Sequence, residues 1–407
     1  MKKVLAFVLA MGMAVSLTAC GGSNGNGATG NEATGNVNES TENSQEEASS
    51  SNDEGKEEEV KDSDITIGVS IWGTSDSLGS SCKAMLDAAA DTLGVTLIYD
   101  EQEHVSEQVV AGVENLCAAG VDGIVICNSA DSEMASVIKT CDEYGVYVSQ
   151  FFRVISDEEI AAQALASSYY VGCTHEAEVD NGYNLGKILI EEKGARHIGW
   201  TAWRVGDTTS LARQEGYQKA VEEWNNENPD DQVELYPLAD DKYTSEEARA
   251  AVEGLIDTYP EMDAIIVVGG GGMALDGTLA AIDGRGKTGD YYVVSTDFTA
   301  TLGEQLANNE LAAMSGGHYA DPLFSFMMVY NTIKGNYTRS ESSYYEVMFP
   351  YLYVASTDDY AAYEKYFVDE LPYNEEEIKA MADGSFEELQ KTAATLSIND
   401  VTERHGK

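Results

Sequence analysis

Between Ile65 and Thr296 the chain alternates short apolar runs with longer stretches whose apolar residues recur at helical spacing. The runs Ile65 to Ile71, Val95 to Tyr99, Gly123 to Cys127 and Val146 to Gln150 read as strands. The segments between them, Leu78 to Leu93, Ser106 to Ala119 and Ser132 to Tyr144, read as amphipathic helices. The pattern then repeats. Helices are expected at Glu176 to Glu192, Thr208 to Trp224, Ser245 to Thr258 and Met273 to Asp283, and strands at His197 to Thr201, Val233 to Leu238, Ala264 to Val268 and Tyr291 to Thr296. Strands this short and apolar are covered on both faces, which predicts parallel sheets with right-handed helical crossovers. About 340 residues follow Asp64, too many for one ordinary core, so the expected architecture is α/β with a doubly wound parallel sheet in each of two lobes.

The start of the chain has a different composition. Met1-Lys2-Lys3, an apolar run from Val4 to Leu17 and small residues before Cys20 form a secretory leader over 1–19, too short for a comfortable membrane span. Its ending, Leu17-Thr18-Ala19-Cys20, resembles the bacterial lipobox, which implies lipidation of Cys20 and anchoring to the outer face of the cell membrane. Residues 20–63 are Gly, Asn, Ser, Thr and Glu with almost no large apolar side chain, a composition expected to form an acidic, solvated tether.

With 71 acidic and 24 basic side chains the net charge is −47, so the basic patches that bind nucleic acid are scarce. Beyond Cys20 the cysteines are Cys82, Cys117, Cys127, Cys141 and Cys173, an odd number without CxxC pairs or histidines at metal spacing. They read as small buried hydrophobes, and neither a disulfide framework nor a metal site is expected.

Parallel sheets bind ligands at the carboxyl ends of their strands. There the sequence places Trp72 and Asp76, Phe152-Arg153, Cys173-Thr174-His175, Trp203, Gly269 to Gly272, and Thr296-Asp297. Guanidinium groups donate in a fixed fork and carboxylates accept from hydroxyls, while aromatic rings supply apolar walls, so this set suits a polyol. Competing readings stay open: core packing for Phe152 and Trp203, a hinge salt bridge for Arg153, and structural roles for His175 and His318.

The opening Ile-Gly-Val-Ser strand, Gly120-Val121-Asp122-Gly123-Ile124-Val125-Ile126, Gln150-Phe151-Phe152-Arg153, Arg213-Gln214-Glu215-Gly216-Tyr217 and Val294-Ser295-Thr296-Asp297 occur in an order that resembles the type I periplasmic binding proteins, over about Asp64 to Tyr353. Within them the ribose and galactose group is most similar, sugar-binding proteins that serve ABC importers. The resemblance implies two Rossmann-like lobes joined by three crossings, near Val171, Gly317 and Tyr351. The implied lobes are 64–171 with 298–317 and 352–407, and 172–297 with 318–351. It further implies a monomer that delivers a small polar ligand, a carbohydrate, to an ABC permease, without catalysis or cofactor. Asp76, Arg153, Arg213 and Asp297 match the family's polar ligand contacts, with the two arginines facing one another from different lobes. Phe152, Gly270 and Gly317, the last beside His318, stand where the family has aspartate, asparagine and glutamine.

Gly269-Gly270-Gly271-Gly272-Met273-Ala274 also fits a dinucleotide fingerprint by spacing. Its place late in the chain favours another use, close backbone approach to a ligand. No G-x-S-x-G, H-E-x-x-H or Walker pattern appears, though an enzyme of another type stays open. So does a sensor that hands its ligand to a membrane receptor, because the same fold does both. The Tyr-rich segment after Gly335 and the acidic helical tail from Asn374 are expected to pack outside the lobes.

Overall fold

The computed structural model describes residues 65–406 apart from 204, 271 and 341, so the leader, the tether and Cys20 lie outside the described residues. Strands β1 (Thr66–Ile71), β2 (Thr96–Glu101), β3 (Gly123–Ile126), β4 (Tyr147–Phe151) and β5 (Tyr170–Glu176) build one sheet. A second contains β6 (His197–Thr201), β7 (Glu234–Leu235), β8 (Ala264–Gly270), β9 (Tyr292–Thr296) and β10 (Ala313–Gly316). The chain then returns to each, with β11 (Tyr345–Phe349) in the first and β12 (Leu352–Val354) in the second, giving orders β11-β5-β4-β3-β1-β2 and β12-β10-β9-β8-β6-β7. All pairings are parallel except β10 with β12. The central strands are buried over most of their length, and β3 has all four residues covered. Both sheets belong to one compact unit.

The alternation seen in the sequence is the alternation in the structure, with local differences. Cys173-Thr174-His175 is strand, not loop, and the next helix begins at Glu178 rather than Glu176, running to Lys187 and closing with a π-helical turn at Ile188–Glu192. The polar residues that disguise β5 are satisfied inside the fold, where the Thr174 hydroxyl donates to the Asp321 carbonyl at 3.3 Å. The strand expected over Val233 to Leu238 contracts to Glu234–Leu235. The helix Glu158–Ala166 is unanticipated; its N-cap is Asp157, which accepts from the Glu159 and Ile160 amides.

Sheet membership also differs from the expected lobe boundaries. The chain passes between sheets at Ala177, Gly317 and the Pro350–Tyr351 turn. The first crossing therefore falls after β5, not at Val171, because the Val171-Gly172-Cys173 run continues in register with β11 to Glu176. The segments flanking Gly317 are exchanged relative to expectation. Residues 298–317 carry β10 and belong with the second sheet, and the helix Asp321–Ile333 packs on β3, β4 and β5 of the first. That helix is buried from Asp321 to Asn331, and only the inner face of a sheet plus covering helices can enclose it on every side.

The covering helices come partly from the end of the chain. Glu375–Asp383 packs on Ser77–Leu93 and Asp321–Ile333, while Phe386–Ala394 lies against β11. Asn374 and Ser385 start these two helices through capping boxes with Glu377 and Glu388. Before them, Thr357–Tyr363 rests on β12 and on the helix Leu302–Ala307 of the second lobe. The tail thus touches both lobes.

Candidate functional site

At the carboxyl ends of the central strands, residues of both lobes and of all three crossings line one cavity of about 670 Å³. Nine of the ten residues selected from the sequence lie around it: Trp72 and Asp76 after β1, Phe152 and Arg153 after β4, His175 in β5, Trp203 after β6, Asp297 after β9, His318 at the second crossing, and Arg213. Gly270 pairs with Thr296 inside the second sheet. The neighbouring glycine explains the Gly-rich run. A Cβ on Gly269 would fall 1.8 Å from the Trp203 indole nitrogen, so the close approach there is made by Trp203.

The two lobes present matching turns. Phe152 and Asp297 directly follow β4 and β9, the third strands from equivalent edges of the two sheets, and both adopt left-handed backbone, with φ of 60° and 67°. This conformation is strained for side chains other than glycine and is tolerated best by Asn and Asp, so at Phe152 it is held by its surroundings. Those surroundings are aromatic. Trp72 stacks on His104 at 5.5 Å and meets Phe152 at 6.0 Å; Phe152 meets His318 edge-on at 5.1 Å, and His318 meets Tyr351 at 5.5 Å. A continuous apolar floor results. Burial, with Arg153 nearby, lowers the His104 pKa.

The polar groups divide into engaged and available. Asp76 caps the helix Ser77–Leu93 through the Gly79 amide at 3.0 Å and accepts from the Trp72 indole at 2.7 Å. Arg153 donates to the carbonyls of Asn128 at 3.2 Å and Phe152 at 2.8 Å, with its side chain otherwise exposed to the cleft. Arg213, only 4% exposed, is the centre of a hinge network. Its Nε and Nη2 donate to Glu178 at 2.6 and 3.3 Å, Nη2 to the Tyr351 hydroxyl at 3.1 Å and Nη1 to the Val268 carbonyl at 3.4 Å, while Tyr351 donates to Glu178 at 3.0 Å. Burial alone lowers an arginine pKa, but Tyr351, Glu178 and Asp297 overcome it and hold this one above its ordinary value. His175 pairs with Glu346 at 2.8 Å on the flank of the site.

Sequence reasoning missed Glu176, Glu178, His104 and Asp207, all of which line the cavity. Asp207 carries a local signal, as the aspartate before Thr208-Thr209 that caps the helix Thr208–Glu227. Glu176 and Glu178 fall in the first turn of the helix expected from Glu176 to Glu192, which hides them as cleft residues. The five described cysteines past the leader are buried and free, and burial pushes the Cys127 thiol up to about 11 and that of Cys173 up to about 12. No group of three metal-ligating side chains occurs among the described residues.

Two parallel-sheet lobes, three crossings and a lined cleft between strand ends define a protein that encloses a small ligand between hinged halves. The chain belongs to the family described as the periplasmic binding protein domain, matched over residues 67–323, and like its members it is a binder of solutes outside the cytoplasm, not an enzyme. Solved structures of similar fold include an ABC transporter solute-binding protein of Bacillus halodurans with bound myo-inositol, at 20% identity, TM-score 0.56, covering 73% of this chain and 97% of that one. Another is a periplasmic solute-binding protein of Actinobacillus succinogenes with bound D-allose, at 17% identity, TM-score 0.59, covering 72% and 98%. A periplasmic ribose ABC transporter protein of Conexibacter woesei matches at 14% identity and TM-score 0.62, covering 74% and 95%. Among curated proteins none matches. No helix among the described residues is long and apolar enough to cross a membrane.

Proposed function

We propose that this protein is a monomeric, lipid-anchored extracytoplasmic receptor that captures a sugar or related polyol and delivers it to an ABC permease. The observation that carries the reading is the cleft. A cavity of about 670 Å³ is floored by the Trp72, Phe152 and Tyr351 rings and rimmed by Asp76, Arg153, Asp297 and Asn128, and it lies within the range of small-ligand sites. Apolar ring faces with carboxylate and guanidinium edges match the alternating C–H and O–H surfaces of a pyranose or cyclitol. The bound myo-inositol and D-allose of the similar structures support the same class. Lipidation at Cys20 and a tether reaching very roughly 35 Å would hold the body close to its permease.

Thermal unfolding across a panel of hexoses, pentoses, cyclitols and nucleosides tests the reading. A true ligand at a thousandfold excess over its dissociation constant stabilises the folded state by about 4 kcal/mol. Chemical conversion of the stabilising compound, or stabilisation only by nucleosides, would reject it.

A further inference from the structure

The cleft carries more carboxylates than guanidinium groups. Its walls carry the carboxylates of Asp76, Asp131, Glu176, Glu178, Asp207 and Asp297 against the guanidinium groups of Arg153 and Arg213. Arg213 is neutralised by Glu178, and Arg153 donates to the two backbone carbonyls. Three helices begin at the cleft, and such N-termini attract anions. Each is already served by the protein's own carboxylate: Asp76 and Asp207 as caps, and Glu133 at the start of Asp131–Tyr144, where it accepts from the Ser129 amide while Asp131 accepts from the Ser156 and Asp157 amides. A sugar acid or sugar phosphate would therefore find its anion sites taken and carboxylates around it.

One of those carboxylates is in want of a donor. Glu176 ends β5 at the first crossing, is 9% exposed and faces the cavity, and its Oε1 receives no hydrogen bond among the described residues. Asp321 lies behind it at the second crossing, fully buried, with neither carboxylate oxygen partnered. Burial raises the pKa of both, that of Asp321 well above the usual carboxylate range with Glu176 contributing. Two acidic groups lie against one another, with His318 and Arg153 the positive groups nearest Glu176, and neither of these donates to Glu176 Oε1, so a positively charged donor entering from the cleft stabilises the pair. An ammonium group brings three donors and a charge, where a hydroxyl brings one donor.

We propose that the ligand is an amine-bearing polyol, an amino sugar or aminocyclitol, whose ammonium group docks on Glu176 with Asp321 behind it. This rests on the polyol-binding reading and narrows it. Calorimetry on the purified protein would compare glucosamine, galactosamine and mannosamine with glucose, galactose and mannose and with glucuronate and galacturonate. At least one amine should bind roughly tenfold more tightly than its neutral parent, the difference between a charge-assisted hydrogen bond and a neutral one, and the uronates should not bind. Glu176→Gln should abolish that amine preference while melting no lower than the unmodified protein without ligand. If that variant fails to fold, the same ratio is read on Asp321→Asn. Neutral sugars binding as well as or better than the amines, or a preference that survives Glu176→Gln, would overturn the proposal and leave the polyol reading in place. Binding of none of the panel, or of the uronates alone, would overturn the amine proposal, and the polyol reading falls with it only when pentoses and cyclitols also fail to bind.

Discussion

Replacing Arg213 with alanine should damage the fold as well as the ligand site. The guanidinium, 4% exposed, is held by Glu178 through two bonds, by the Tyr351 hydroxyl and by the Val268 carbonyl, and these partners come from the first crossing, the third crossing and β8. Removing one member of a buried ion pair costs about 3–5 kcal/mol because the other is left unpaired. The Glu178 side chain is 20% exposed, so water partly rescues it and the lower end of that range, about 3 kcal/mol, is expected. Unfolding entropy of about 2.1 cal/mol/K per residue gives roughly 0.7 kcal/mol/K for a body of about 340 residues, so a loss of about 3 kcal/mol lowers the melting temperature by about 4 °C. Circular dichroism melts of Arg213→Ala, Glu178→Gln and the double variant measure this. The double variant should melt well above the sum of the single losses, with a coupling of about 1–3 kcal/mol. Melting of Arg213→Ala within about 1 °C of the unmodified protein, together with additive losses in the double variant, would refute the hinge-network account.

Three further outcomes are expected. Asp297→Asn should keep its melting temperature, because asparagine tolerates the left-handed φ of 67°, yet weaken ligand binding about tenfold or more by calorimetry; Asp297→Val should lose both. Burial and Glu176 raise the folded-state pKa of Asp321, so its contribution to stability is fully present below the unfolded value of about 4 and is lost as pH rises through the raised folded value. Scanning calorimetry should accordingly find Asp321→Asn gaining on the unmodified protein from pH ~4 upward, and a pH-independent gap would contradict the assignment. Metabolic labelling with a clickable fatty acid should mark the protein and not its Cys20→Ala variant.

The class of fold and the strand-end position of the cleft are legible in the residue pattern. Short apolar runs such as Gly123 to Ile126 must be buried on both faces, which leaves little choice but a covered parallel sheet, and such a sheet exposes its strand ends to ligand. Hence Trp72, Phe152, Arg153 and Asp297 were legible from their place just after a strand. What only the tertiary structure decided is which side chains remain free once the chain has closed. Arg213 looks from its motif like a ligand arginine, but the hinge brings Glu178 and Tyr351 to it from distant sequence positions and makes it a structural centre. Glu176 sits in a stretch whose polar spacing imitates a helix start, and it becomes a strand end only because β11 and the helix from Asp321 pair with and cover β5. The exchange of 298–317 and 318–333 between lobes has the same origin. Local periodicity states that a segment needs cover, and long-range packing decides which sheet provides it.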